Sequence, residues 1–222
     1  LLPSTEKLLY PSFSPDGRRL AVSVETSLRD LVAVAPDGGG WTCLVCGVPD
    51  SGWGSVGGDG SIVYRRLVGG VASLYLVEPS GSERRLTDPG EEGSCPVFDP
   101  EARRVAYLAR GDDGGTRLRI RPRDGGGSIT VADSAEPSEF PAWSPDGRFL
   151  AYAGGDPLRV WVVSSAGGPA RAVSPAGGDY PVWNPDGRLL AFSVWTDDSD
   201  PDQGAWVVPA AGGEPRRVGD RA

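Results

Sequence analysis

The sequence predicts an all-β chain, a β-propeller of four-stranded antiparallel blades, five in number. Three observations carry that expectation. Gly (33) and Pro (21) are abundant among 222 residues while hydrophobic residues still make up 39%. That balance fits many tight turns between brief apolar runs better than it fits a disordered chain. A turn of the Pro-Asp-Gly kind, preceded by an aromatic residue, recurs along the chain. Marked at the turn acid, the copies stand at Asp16, Asp59, Glu101, Asp146 and Asp186, with gaps of 43, 42, 45 and 40 residues. A period of about 40–45 residues with room for four strands marks a propeller blade.

The first copy runs from Tyr10 to Val22, the fourth from Phe140 to Tyr152 and the fifth from Tyr180 to Phe192, each with Pro-Asp-Gly-Arg at its centre. The third, Cys95 to Tyr107, replaces that turn with Pro100-Glu-Ala-Arg103, and the second, Gly52 to Tyr64, is the most eroded. One domain over residues 1–222 follows, with blades at about 10–50, 51–92, 93–137, 138–178 and 179–220. Residues 1–9 are expected to add an extra closing strand, Ser4–Leu9. That strand pairs at the edge of the last blade or belongs to an incomplete sixth, so a six-bladed ring is the alternative.

Within each blade, strand A is short and carries the aromatic: Phe13, Trp53, Phe98, Trp143 and Trp183. One aromatic at one register in every copy is expected to pack between blades rather than to cage a ligand. In the turn that follows, Pro presets φ, Asp caps through its side chain and Gly accepts a positive φ. Strand B alternates, as in Leu150–Ala153. Strand C is expected at Asp30–Ala35, Ser73–Val77, Arg117–Arg121, Arg159–Val163 and Ala205–Val208. The polar strand D is expected at Glu83–Thr87, Ser128–Ala132, Ala170–Ser174 and Pro215–Val218, where charge and proline suit an outer edge.

The Ser-Pro-Asp-Gly-Arg turns preceded by Pro-x-Trp or Pro-x-Phe resemble the TolB-type repeat, a WD-like propeller family, over about residues 10–220. The same repeat occurs in the propellers of prolyl-oligopeptidase-like and tricorn-like proteases. The resemblance implies a periplasmic or extracellular bacterial setting and protein–protein contacts. It names no particular partner, because a propeller is a scaffold. The chain begins at Leu1 and contains no Met, so it is expected to be a piece of a longer protein.

The formal net charge of −8 argues against nucleic acid as a partner. No apolar run approaches the roughly 20 residues of a membrane span, so this segment is not expected to insert. Strand order sorts the loops onto two faces. The D-to-A and B-to-C loops gather most of the acids, and Asp50, Glu91, Glu92, Asp112, Asp113, Asp133, Glu136, Glu139 and Asp179 are the candidate binding residues. A protein partner with a basic surface fits such a face.

Asp198, Asp200 and Asp202 alternate as Ca²⁺ ligands do, although Gly204 falls one place late and no Glu stands at the twelfth position. Otherwise no cofactor is expected. Cys43 and Cys46 lie in the expected strand D of the first blade; a local disulfide there needs a turn, and two buried thiols are the alternative. Three cysteines and no histidine supply a zinc site poorly and leave no Ser-His-Asp system within the chain. The expected function is a non-catalytic interaction module. A carbohydrate-binding propeller using Trp41, Trp53, Trp161, Trp195 and Trp206 is the alternative, and a carboxylate-pair glycosidase a more distant one.

Overall fold

A computed structural model describes residues 7–13, 20–25, 29–34, 41–46, 51–133, 137, 141–194 and 203–218. Its strands form five four-stranded sheets, each antiparallel and each laid out in chain order. The first sheet is β1 (Lys7–Phe13), β2 (Leu20–Glu25), β3 (Arg29–Val34) and β4 (Trp41–Val45). The second is β5 (Ser51–Val56), β6 (Ile62–Val68), β7 (Val71–Val77) and β8 (Glu83–Arg85). The third is β9 (Gly93–Phe98), β10 (Arg104–Arg110), β11 (Thr116–Pro122) and β12 (Ile129–Ala132). The fourth is β13 (Ala142–Trp143), β14 (Phe149–Gly154), β15 (Arg159–Ser164) and β16 (Arg171–Ala172). The fifth is β17 (Gly178–Trp183), β18 (Leu189–Val194), β19 (Gly204–Pro209) and β20 (Arg216–Arg217). Two compact units divide the chain: Leu1–Arg110 with Arg121–Gly127, and Gly111–Ile120 with Ser128–Ala222.

The turn between strands A and B is built alike in each sheet where its side chains are described. Ser144 takes the N–H of Phe149 on its hydroxyl at 2.9 Å, Asn184 takes that of Leu189 on its amide oxygen at 2.9 Å, and Asp99 takes that of Arg104 at 3.0 Å. Asp146 and Asp186 each cap the N–H two residues on. The residue after the acid needs a positive φ: Gly147 has +67° and Gly187 +71°. Ala102 holds the same place at +54°, a conformation that costs an L-residue roughly 1–2 kcal/mol and that the packing around Ala102 sustains.

This turn also sets the register of the eroded second copy. Gly57 donates to Ser61 O, as Ser144 donates to Phe149 O and Asn184 to Leu189 O. The residue before Gly57 is Val56, so Val56 stands where Phe98, Trp143 and Trp183 stand. Trp53, expected at that place, lies three residues earlier. Its φ of +47° matches +49° at Cys95 and +49° at Tyr180. These three residues are the bulge of strand A, where the pairing of β5, β9 and β17 with the next strand shifts by one. Trp53 is an aromatic close to a weak turn, and that proximity alone suggests the register that Val56 occupies.

Lys7–Leu9 form the first half of β1, with Lys7 opposite Glu25 and Leu9 opposite Ser23. They are therefore strand A of the first sheet and not the separate closing strand expected at Ser4–Leu9. Cys43 and Cys46 form a disulfide with Cα atoms 5.9 Å apart, and Cys43 is exposed, which corrects the reading of two buried thiols. Between the pairs Leu31↔Val45 and Val32↔Cys43 the register slips, leaving Leu44 as the extra residue. That bulge supplies the bend a bridge over three positions requires.

Packing joins unlike faces of consecutive sheets. Leu31 and Val45 of the first meet Val56, Ile62 and Tyr64 of the second. Val63, Leu74, Leu76 and Leu86 of the second meet Phe98, Val105 and Tyr107 of the third. Ala151, Val160, Val162 and Val173 of the fourth meet Leu190, Phe192, Val194 and Val208 of the fifth, with Trp183 and Trp206 alongside. Burial of each such aliphatic side chain contributes roughly 1.5–3 kcal/mol. Two seams share a clasp: Arg84 donates to the carbonyl of Arg123, and Arg171 at the equivalent place donates to that of Ala210 at 3.0 Å.

Candidate functional site

Six of the acids named from the sequence lie outside the described residues: Asp50, Glu136, Glu139, and the Asp198, Asp200, Asp202 triplet. Among the described residues no group of three metal-ligating side chains gathers. The remaining candidates separate into three environments.

In the first unit, Asp88 and Glu91 close around Arg121. The Arg121 guanidinium, 4% exposed, donates to Leu86 O at 2.8 Å, to both oxygens of Asp88 and to Glu91 at 3.2 Å. Tyr107 gives its hydroxyl proton to the other Glu91 oxygen at 2.8 Å. The hydrogen bonds from Asp88 hold the guanidinium above its ordinary pKa despite burial that lowers it, and Tyr107 and Glu91 add to the effect. Glu91 is thus an internal partner, 10% exposed. A second, partly buried arginine, Arg123, joins Asp59 and Glu78. Glu92 is half-buried and its carbonyl receives the Arg110 N–H at 3.3 Å.

In the second unit, Asp112 and Asp113 occupy the tight turn between β10 and β11. Asp113 receives Arg117 through both oxygens, at 2.9 and 2.6 Å, and the Gly115 N–H at 3.1 Å. Arg117, followed by Gly115, holds the Asp113 carboxyl below its ordinary value. Asp113 raises Arg117 in return, and the charges of Asp133 and Asp112 add to it. Asp112, Asp113 and Asp133 are all exposed. Asp113 is thus paired with Arg117, while Asp112 and Asp133 act on the guanidinium by charge alone, leaving the loops locally negative.

Asp133 also faces the Tyr152 hydroxyl, which is buried and makes no hydrogen bond. Burial, then the Asp133 charge, pushes that phenol up to about 12. The equivalent Tyr107 and Tyr64 spend their hydroxyls on Glu91 and Glu83.

Asp179 is the third environment. It sits on β17 beside the bulge, 9% exposed, with the Tyr180 N–H at 2.7 Å. Burial raises its carboxyl above the ordinary value and the single backbone bond only partly opposes this. A buried carboxyl of this kind is poorly placed to meet a macromolecular partner.

The arginines of β11 were the residues that sequence reasoning passed over. Arg117, Arg119, Arg121 and Arg123 alternate with Leu118, Ile120 and Pro122. That period-2 pattern places the arginines on one side of the strand, and counting charges by strand face exposes it. The tryptophans proposed for carbohydrate are otherwise engaged where described. Trp53 lies under the Arg65 guanidinium at 5.0 Å, Trp161 donates to Gly154 O at 3.0 Å, and Trp206 packs on the core of the fifth sheet. Trp195 falls outside the described residues, as does the Trp41 side chain.

No protein-family model matches the chain. Over 49 residues, 22% of the chain, it is 45% identical to the Tol-Pal system protein TolB of Actinobacillus succinogenes, covering 12% of that protein. It is 44% identical over 63 residues to the TolB of Methylobacillus flagellatus, covering 28% of this chain and 13% of that one. A stretch of 84 residues, 34% of this chain, is 32% identical to the uncharacterized peptidase YuxL of Bacillus subtilis and covers 13% of it. The matched stretches thus amount to 12 to 13% of the curated relatives' length. Among solved structures, TolB from Acinetobacter baumannii superposes with a TM-score of 0.77 at 17% identity, over 97% of this chain and 57% of that one. The putative TolB from Agrobacterium tumefaciens gives 0.75 at 19% identity, over 96% and 80%. An oligogalacturonate lyase in complex with manganese gives 0.71 at 18% identity, over 96% and 65%, so the same fold also carries an enzyme. Sequence repeat, sheet topology and these likenesses agree: the chain has the fold of the TolB propellers and carries stretches similar in sequence to TolB.

Proposed function

We propose that this chain is a non-catalytic, extracytoplasmic protein-interaction module, a domain or subunit of a larger protein or assembly. It binds a basic protein surface through the exposed acids of its loops. The observation that carries this reading is the set of exposed loop acids Asp112, Asp113 and Asp133, all of which act by charge on Arg117 and only one of which is paired with it. The periplasmic or extracellular setting rests on the likeness to the two Tol-Pal system TolB proteins. The absence of histidine supports a non-catalytic role, since it denies the chain a Ser-His-Asp system. The lyase likeness is one of fold, and an acidic loop surface repels a polyanionic sugar chain.

The test compares two immobilised probes, an arginine- and lysine-rich peptide and oligogalacturonate. Retention on the peptide, weakened at least about tenfold by joint Asp112→Lys and Asp133→Lys substitution, is the expected result. Equal retention by the doubly substituted chain removes these loops as the binding surface. Retention on the sugar alone transfers the function to carbohydrate.

A further inference from the structure

One acid in the seam between the fourth and fifth sheets stands where its counterpart between the second and third holds an arginine. In that earlier seam, the Arg123 guanidinium reaches back from the end of β11 to Asp59 and Glu78, and to the turn of its own sheet at Ala102 O, at 3.3 Å. Backbone hydrogen bonds fix the corresponding residues of the later seam. Gly60 donates to Gly57 O and Gly147 to Ser144 O, so Asp146 takes the place of Asp59. Gly81 donates to Glu78 O and Gly167 to Ser164 O, which sets Ser164 at the place of Glu78. Arg123 donates to Arg103 O and Ala210 to Arg188 O, so Ala210 stands in for Arg123.

The shorter side chain leaves space. An open cleft of about 690 Å³ lies there, with Asp146, Ser164, Gly187, Ala210, Arg171 and Trp183 among its walls. Asp146 is exposed, and no described arginine forms an ion pair with it. Bonds from the Ser144 hydroxyl at 2.6 Å and the Arg148 N–H at 3.0 Å hold its carboxyl below the ordinary value, so it is charged at neutral pH. Two cations stand near. Arg171 donates to Ala210 O at 3.0 Å, but Arg84 does the same to Arg123 O, so a neighbouring guanidinium belongs to the filled arrangement too. Arg148 lies over the Phe149 ring at 5.8 Å. Trp183 adds an aromatic wall, which suits a planar guanidinium better than a compact ammonium. Ser164 supplies no charge where Glu78 did, so the cleft binds less strongly than the internal seam.

We propose that this cleft receives an arginine side chain of a protein partner, its guanidinium on Asp146 as that of Arg123 lies on Asp59. The occupant of the earlier seam is carried on a polypeptide, which favours a peptide arginine over a free small molecule. None of Asp112, Asp113 and Asp133 lines the cleft, so the site is separate from the acidic loops.

The test follows the amide NMR shifts of Gly187, Ala210 and Ala211 in the 222-residue chain at constant ionic strength. The probe is a capped tripeptide with arginine at its centre. Saturable shifts with a dissociation constant below about 10 mM are expected, with the lysine tripeptide at least about fivefold weaker. Asp146→Asn keeps the oxygen that caps the turn and should weaken binding at least about fivefold. Ala210→Arg with Ser164→Glu rebuilds the filled seam and should abolish the shifts without lowering the melting temperature. Asp112→Lys with Asp133→Lys should leave them unchanged, so failure here and failure of the loop proposal are distinguishable. The absence of saturable shifts overturns the proposal. So does equal binding of the lysine tripeptide or of free arginine, or undiminished binding by Asp146→Asn.

Discussion

Replacing Arg121 by Met tests whether the buried ion pair at the second and third sheets is energetically what its geometry implies. The guanidinium is 4% exposed and serves Leu86 O, Asp88 and Glu91. Its removal affects the two acids unequally. Asp88, 69% exposed, is rehydrated, whereas Glu91 is 10% exposed and retains the Tyr107 hydroxyl and the Asp88 N–H at 3.1 Å. A buried carboxylate stripped of its cation costs about 3–5 kcal/mol. Met fills the space of the side-chain stem, and Val163 and Val208 show that an apolar residue suits the equivalent place in the fourth and fifth sheets, where both are 1% exposed. Arg121→Met should therefore destabilise by about 3 kcal/mol or more in urea unfolding at pH 7. Adding Glu91→Gln removes the stranded charge and should restore all but about 1–2 kcal/mol, giving a coupling of about 2 kcal/mol in the double-mutant cycle. A single-substitution loss below about 1 kcal/mol, or additive effects, refutes the reasoning.

Further expectations concern two carboxylates and the cysteines. Asp59 is pushed up by burial, but bonds from the Ser61 hydroxyl, Arg123 and the Ser61 N–H prevail and lower it from 3.8 to about 2. Its contribution is present above about pH 4 and lost as pH falls through 2. Since the carboxylate is 41% exposed and screened, Asp59→Asn should cost roughly 1 kcal/mol at pH 7 and only a small fraction of that at pH 2 by denaturant titration. Asp179 shifts the other way. The fold favours its protonated form, so its ionisation weakens the fold as pH rises through the raised value. Asp179→Asn should raise the melting temperature at pH 7, with the gain vanishing below the ordinary carboxyl range. Reducing the Cys43–Cys46 bridge, which closes a loop of sequence separation 3, should lower stability by at most about 2 kcal/mol, and Cys95, buried, should stay unlabelled by a thiol reagent under native conditions.

The repeat was legible in the sequence because its turns are chemical. Pro-Asp-Gly-Arg at Asp146 and Asp186 states a positive φ and a capped N–H outright, and strands B and C follow by alternation. Where the turn eroded, so did the reading. Gly57 carries no side-chain acceptor, so nothing in the turn separates Trp53 from the register that belongs to Val56. The acidic loops were legible as composition, while their pairing was not. Nothing local in Glu91 says that Arg121 reaches it from a strand 30 residues on. The alternating arginines of β11 do carry that information, once charges are assigned to strand faces. Exposure was the least legible property. Ala191 and Ala151 are the same residue at the same register, one exposed and one 0% exposed, because burial depends on the neighbouring sheet rather than on the strand.

The claim that the exposed acids of the loops make this propeller a protein-binding module is tested most directly by salt. The association rate of the chain with an immobilised arginine- and lysine-rich peptide is measured at about 50 mM and about 500 mM salt, over which the screening length shrinks severalfold. A charge-steered interface predicts a fall of at least about tenfold in that rate, and a much smaller fall after joint Asp112→Lys and Asp133→Lys substitution. A rate indifferent to salt, or an equal fall in the substituted chain, contradicts the assignment of binding to these loops.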